Sequence, residues 1–357
     1  RLRLLMMFPS SIRNIEIASR ANYVRAWRMS EMNSRLTVGD VLASTGELRF
    51  GSLGGVELCD NTYVRLPVMI ARGVGEGPTL LVQGAVHGNE LIGAEVVRKL
   101  LREGLDCSRL KGAVIGIPIS NPLAFQFGKR TTPQDEGELS GTIPGNPSGS
   151  VTERLAHLIF QAMEAADYVI DLHGNWLPCA AFTSINLSVG EESVKQKAEL
   201  MAEAFGLTIV YSTVGGPKHL SFLMQRGKPS ILVELIDAKR ITMLSVGVGV
   251  RGILNVMKVL GMIEGKIEKQ PPELIFGHGR VESGGTLLSN RGGILHVEKE
   301  PGTRIRQGEV VARLLDAYGE KIEEIDMPFD GYIRAFTYSA HQAVATGQTI
   351  AYVTKDK

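Results

Sequence analysis

A chain of 357 residues with 44% hydrophobic and 22% charged residues has an ordinary globular composition, which excludes global disorder. Its length exceeds what one hydrophobic core usually serves, so two domains are expected. A formal net charge of +1 gives no electrostatic footprint for nucleic acid, and no apolar run approaches the roughly 20 residues of a membrane span.

The first 35 residues differ from the rest. Arg1, Arg3, Arg13, Arg20, Arg25, Arg28 and Arg35 face only Glu16 and Glu31. An Arg-rich, acid-poor start has the composition of a transit peptide. The apolar part, Leu4-Leu5-Met6-Met7-Phe8, is short for a signal peptide, and Met29 and Met32 both suit a start. The preferred expectation is an extension upstream of the native start.

From Val64 to Arg72 the chain reads as extended, with Pro67 suited to a sheet edge. Thr79 to Gln83 is a buried-strand candidate. Leu91 to Leu101 has helical apolar spacing, with Arg102 and Gly104 fitting its end. Ala113 to Pro118 is another strand. Residues 128–149 are rich in Gly, Pro, Ser and Thr and read as a long loop, usually a functional feature in a compact domain. Val151 to Ala166 is a helix with Ser150 as cap and Glu153 three residues on. Tyr168 to Leu172 is a strand ending at His173. Then follow a helix at Glu191 to Phe205, a strand at Leu207 to Tyr211 and a short helix at His219 to Arg226. A strand at Ser230 to Leu235 precedes a mainly helical stretch from Ile241 to Ile263. This alternation predicts a doubly wound α/β domain with a largely parallel sheet and helices on both faces.

Lys266-Ile267-Glu268-Lys269-Gln270-Pro271-Pro272 reads as a linker. Beyond it, short strands and Gly turns predict a small all-β domain over residues 273–357. Roughly the last 80 residues resemble a biotinyl/lipoyl-type β-domain, judged from turn spacing. The Asp326-Met327-Pro328-Phe329-Asp330 segment has no modifiable Lys at the hairpin tip, so this part is expected to be a structural accessory. The expected organisation is an extension at 1–35, an α/β domain at 36–265 and the β-rich accessory at 273–357. The accessory offers a surface for homo-oligomer assembly. Cys59, Cys107 and Cys179 form neither a disulfide framework nor a Cys-x-x-Cys knuckle, which points to a reducing, cytoplasmic compartment.

Chemistry concentrates at His87-Gly88-Asn89-Glu90, just after the Thr79–Gln83 strand. A turn entering a helix brings positions i and i+3 to one side, so an imidazole and a carboxylate can meet on one metal ion. In Asp171-Leu172-His173-Gly174, His173 also ends a strand. Ends of parallel strands converge at one sheet edge. His87, Glu90 and His173 then form the two-nitrogen, one-carboxylate set of a catalytic zinc with an open fourth position. Asp171, on the same strand face as His173, suits either an outer hydrogen-bonding role or a separate substrate or structural one. Bland roles are expected for His157, His278, His296 and His341. His219 and Trp176 are weaker candidates for lining the pocket.

At these residues the chain resembles the succinylglutamate desuccinylase/aspartoacylase group of zinc amidohydrolases, relatives of the zinc carboxypeptidases. The resemblance covers roughly residues 60 to 260. It rests on Gly84-Ala85-Val86-His87-Gly88-Asn89-Glu90, Asn121-Pro122-Leu123-Ala124-Phe125, Arg130 before Pro133 and Asp135, Pro144-Gly145, and Asp171-Leu172-His173. It implies a doubly wound α/β fold with a mixed sheet, one zinc ion and a small N-acylated substrate. It also implies that Glu234 is the general base and that Arg130 stabilises the oxyanion. One departure stands out: Ser140-Gly141 occupies the place of the Asn-Arg pair that holds the substrate carboxylate. Either the substrate is not an ordinary N-acyl amino acid bound through that pair, or another cation substitutes, with Lys218, Lys239 and Arg240 as candidates. A deacylase is the expectation. A peptide-cleaving zinc carboxypeptidase, which needs that clamp, and a non-catalytic metal- or ligand-binding homologue are the alternatives.

Overall fold

The computed structural model describes residues 35–174, 179–212, 218–236, 241–337 and 342–356. Residues 1–34 of the N-terminal extension, Trp176, Lys239, Arg240 and His341 lie outside them.

The chain opens with strands β1 (Arg35–Val38), β2 (Val41–Ser44), β3 (Glu47–Glu57) and β4 (Tyr63–Arg72). Strand β5 (Gly75–Gln83) leads through helix α1 (Leu91–Lys99) and a π-helical turn at Leu100–Gly104 to β6 (Lys111–Ile117). Helices α2 (Pro122–Phe127), α3 (Leu139–Thr142) and α4 (Val151–Glu164) precede β7 (Tyr168–Gly174) and β8 (Phe182–Ile185). Then come α5 (Glu192–Phe205), β9 (Thr208–Tyr211), α6 (Lys218–Gln225), β10 (Ser230–Leu235) and α7 (Met243–Val259). The remainder is β11 (Arg280–Leu288), β12 (Gly293–Val297), β13 (Arg304–Ile305), β14 (Val310–Leu315), β15 (Lys321–Asp326), β16 (Gly331–Phe336), β17 (Ala343–Val344) and β18 (Thr349–Asp356).

One large mixed sheet dominates, in the order β13-β16-β18-β11-β9-β8-β10-β7-β5-β6-β4-β3. Its centre is parallel, as β6, β5, β7 and β10 pair side by side in one direction. Helices cover both faces. On one face Ile92 and Val96 of α1 share a core with Met201 of α5 and Ile253 of α7. On the other, Leu155 and Ile159 of α4 pack with Leu220 and Leu223 of α6. The chain leaves β5 over the first face to reach β6, then crosses the second face through α4 to reach β7 on the other side of β5. That reversal creates a crevice at the carboxyl ends of β5 and β7.

The predicted elements of the α/β part are present with shifted ends. Ser150 and Glu153 form a reciprocal capping box at the start of α4. Pro67 lies in a strand that is paired on both sides, but its own stretch is paired only with β3, because pairing to β6 begins at Met69. On the β6 side its missing N–H therefore interrupts no ladder. Two features went unforeseen. One is strand β8, which inserts antiparallel to β10; the mixed character of the sheet, to which β4 against β6 also contributes, is as the resemblance implies. The sheet also continues past the expected linker, because Arg280, Val281 and Glu282 of β11 pair parallel with Ile209, Val210 and Tyr211 of β9. Strands β15, β14, β12 and β17 form a second sheet, and an apolar cluster including Leu295, Leu314, Ile333 and Ile350 lies between it and the end of the first.

Candidate active site

His87, Glu90 and His173 meet at the carboxyl ends of β5 and β7, all three buried. The segment between β5 and α1 is stitched to its neighbours by Ser120 N donating to Gly84 O (3.0 Å) and Asn121 N to Ala85 O (3.1 Å). The Asn121 side chain then caps α2 through Ala124 N at 3.0 Å. Gly88 lies so close to α2 that an added Cβ would be 2.0 Å from the Ala124 carbonyl carbon, so glycine is required for the approach. His87 and Glu90 are thereby fixed on one turn.

The ligand atoms converge on the nitrogen nearest each backbone. His87 Nδ1 is 2.7 Å from Glu90 Oε1, and His173 Nδ1 is 2.9 Å from Glu90 Oε2. The far nitrogens are also occupied: His87 Nε2 is 2.8 Å from Glu138 Oε1, and His173 Nε2 is 2.8 Å from Asp171 Oδ2. A neutral imidazole has one N–H; placed on Nε2, toward Glu138 or Asp171, it leaves an Nδ1 lone pair facing Glu90 that a cation would bridge, whereas a protonated ring donates from both nitrogens. Burial pushes the His87 pKa down, but Glu138 and Glu90 outweigh it and raise it. Burial likewise opposes charge on His173, yet Asp171 and Glu90 carry its pKa well above the ordinary value. For Glu90, burial raises the pKa while His173 and His87 lower it to about 2. These residues fit a divalent cation: two imidazoles and a carboxylate converge, and an outer carboxylate orients each imidazole.

Asp171 is tied further. Gln83 Nε2 donates to its Oδ1 at 2.9 Å, and His219 Nε2 is 2.6 Å from its Oδ2. His219, on α6, thus reaches the site through Asp171. Asp171, His173 and His219 form a second group with metal-ligand spacing, sharing His173 with the first.

Glu234 is the direct partner of His173 across β10 and β7, so both project from the same sheet face. It is half-buried. Burial raises its pKa, partly offset by His173. Arg130 follows α2 after Gly128, a left-handed cap at φ 57°. Its Nη1 lies 3.3 Å from His87 Nδ1 and 3.7 Å from Glu90 Oε1, with 58% of the side chain exposed. All five site residues expected from the sequence therefore gather in one crevice.

Two residues were missed. Glu138 sits in the Gly- and Pro-rich loop, where the sequence offers no periodicity to place it. Its carboxylate accepts from Ser140 N (3.3 Å), Ser140 Oγ (2.9 Å) and Gly141 N (2.8 Å), capping α3 while holding His87. Burial raises its pKa, but His87 and these donors hold it well below the carboxylate range. Arg334, on β16, is the second. Its guanidinium stacks 5.2 Å from the Phe182 ring, and Phe182 is the β8 partner of Glu234. Lys218 is exposed at the start of α6.

The model of the succinylglutamate desuccinylase/aspartoacylase catalytic domain matches residues 76–260. The N-alpha-acetyl-L-2,4-diaminobutyric acid deacetylase of Halomonas elongata is 30% identical over 298 residues, covering 81% of this chain and 85% of that protein. The chain belongs to the succinylglutamate desuccinylase/aspartoacylase family. Among solved structures, a family protein from Rhodobacter sphaeroides superposes with a TM-score of 0.76 at 25% identity, covering 87% of this chain and 95% of that one. The ectoine utilization protein EutE (DoeB) of Ruegeria pomeroyi, in a product-bound structure, gives a TM-score of 0.77 at 22% identity, covering 90% and 98%. No helix among the described residues is long and apolar enough to cross a membrane.

Proposed function

We propose that the chain is a zinc-dependent deacylase that hydrolyses the amide of a small N-acylated amino acid or amine. Its family membership makes it an amide-bond hydrolase. The observation carrying the zinc reading is the Nδ1–carboxylate–Nδ1 convergence of His87, Glu90 and His173, with Glu138 and Asp171 behind the two imidazoles. These three residues would hold the ion. When bound, it supplies Lewis acidity, which polarises a carbonyl and lowers the pKa of water to near 7.

The chain's own groups carry the remaining steps. Glu234 accepts the proton of the attacking water and delivers it to the leaving amine, a task suited by a raised pKa. Arg130 donates to the carbonyl oxygen as negative charge develops on it. Glu138 and Asp171 keep each imidazole in the tautomer that leaves Nδ1 free. Residues 36–265 bear this chemistry, and residues 273–357 form the accessory β-rich unit.

The test is an activity screen of metal-loaded protein on N-acetyl and N-succinyl amino acids, starting with N-α-acetyl-2,4-diaminobutyrate, beside C-terminal peptide substrates. Amide hydrolysis lost in Glu234→Gln, with metal retained, supports the reading. Protein that binds no metal, or cleaves only peptides, overturns it.

A further inference from the structure

Ser140-Gly141 stands where the family resemblance implies an Asn-Arg pair for the substrate carboxylate. Here Ser140 and Gly141 offer no substitute, because their backbone N–H groups and the Ser140 hydroxyl are all directed to Glu138. A carboxylate-bearing substrate would need a cation from elsewhere in the fold.

Arg334 meets that need. Strand β16 is pinned against the segment entering β8, where Ala180 N donates to Arg334 O at 2.9 Å and Cys179 pairs with Ala335. The guanidinium lies between two rings, 5.2 Å from the centre of Phe182 and 5.1 Å from that of Tyr352. Stacking fixes the plane of the fork while its edge N–H groups stay available. Among the described residues no carboxylate lies within ion-pair distance of it. It is half-buried, and burial opposes its charge, with Glu234 one of the groups that sustain it. Phe182 and Glu234 face each other across β8 and β10 on the face that also bears His173. A partly desolvated guanidinium that has no carboxylate partner among the described residues, stacked on the ring that faces Glu234, is poised to receive an anion.

We propose that Arg334 is the specificity-determining residue that receives the carboxylate of the substrate, in place of the side chains that Ser140 and Gly141 do not supply. The proposal rests on the amide-hydrolase reading above and gives it a substrate class: an N-acyl amino acid with a free carboxylate. It also gives the β-rich segment a part in the site, since the residue that selects the substrate comes from that segment.

The experiment uses metal-loaded full-length protein and a panel of N-acetyl α-amino acids, each paired with its decarboxylated amide. The readout is the ratio of kcat/KM for the acid over the carboxylate-free partner. In Arg334→Ala this ratio should fall about 100-fold, mainly through KM, with Arg334→Lys intermediate because it keeps the charge and loses the fork. An unchanged ratio in Arg334→Ala, or no preference for the acid in the wild type, overturns the proposal. If Arg334→Ala fails to fold, the Arg334→Lys and Arg334→Gln ratios decide it in the same way. If the wild type cleaves neither member of any pair, calorimetry with the free amino acids and their amines decides on Arg334. Carboxylate-dependent binding lost in the variant supports the inference; binding that is equal in both proteins, or absent from the wild type, overturns it.

Discussion

Glu138 Oε1 lies 2.8 Å from His87 Nε2, and the same carboxylate accepts from the backbone N–H groups of Ser140 and Gly141. One side chain thus joins a candidate metal ligand to the N-terminus of α3. Removing it would free the His87 ring to change tautomer and rotate.

Glu138→Ala is expected to lower metal affinity by roughly 10- to 100-fold, the usual effect of losing such an outer partner. It should also cost about 1 kcal/mol through the lost helix cap. Glu138→Gln keeps an acceptor and should fall between wild type and Ala. Competition with a chromogenic chelator measures the affinity, and unchanged binding in both variants would show that His87 is oriented by something else.

Removing the metal should leave protons in its place. With chelator, His87 and His173, whose pKa values the surrounding carboxylates raise, protonate and pair with Glu90 through Nδ1. A divalent ion at a thousandfold excess over its Kd stabilises by about 4 kcal/mol by mass action. Thermal scans should therefore show a clear rise in Tm on adding zinc. Because the ligands must be deprotonated and both imidazoles hold their protons above the ordinary pKa, that rise should grow as pH increases through and beyond the ordinary imidazole range. A Tm indifferent to zinc at pH 8 would remove the metal from the account.

Glu234→Gln should leave metal stoichiometry at the wild-type value, since Glu234 is not among the three converging ligands. Loss of a positioned base should lower kcat by about 10²- to 10⁴-fold with little change in KM. Stoichiometry by atomic emission and steady-state kinetics on the same preparation make the comparison. A variant with near-normal kcat would assign the base elsewhere.

Strand-end chemistry was readable because it follows local rules. His87 and Glu90 lie on the turn that follows β5 and His173 lies near the end of β7, so topology brings these three together, while the role of Glu234 at the end of β10 came from the resemblance. Arg130 was legible only through the resemblance. Glu138 was not, because residues 128–149 carry no periodicity and the contact with His87 spans 51 residues of sequence. Arg334 was hidden for another reason. Its strand belongs to a segment that reads as a separate unit, and nothing in the Gly turns of that segment signals that β11 would pair with β9 and extend the main sheet. Long-range pairings of this kind are set by packing, not by local pattern.

Gly88 separates the needs of the site from the general preferences of glycine. An alanine there would place Cβ 2.0 Å from the Ala124 carbonyl carbon and 2.2 Å from its oxygen, both backbone atoms that cannot swing aside. The turn carrying His87 and Glu90 would have to move away from α2. Gly88→Ala should cost about 1–3 kcal/mol as an overpacking change and should weaken metal binding with it. Gly128 is the contrasting case. Nothing lies within 4 Å of a Cβ there, and only its left-handed φ of 57° opposes a side chain. Gly128→Ala should cost about 1 kcal/mol and leave metal affinity untouched. Denaturant melts and chelator competition on the two variants would distinguish them. Equal loss of metal affinity in both would mean that the His87 turn is not held by its contact with α2.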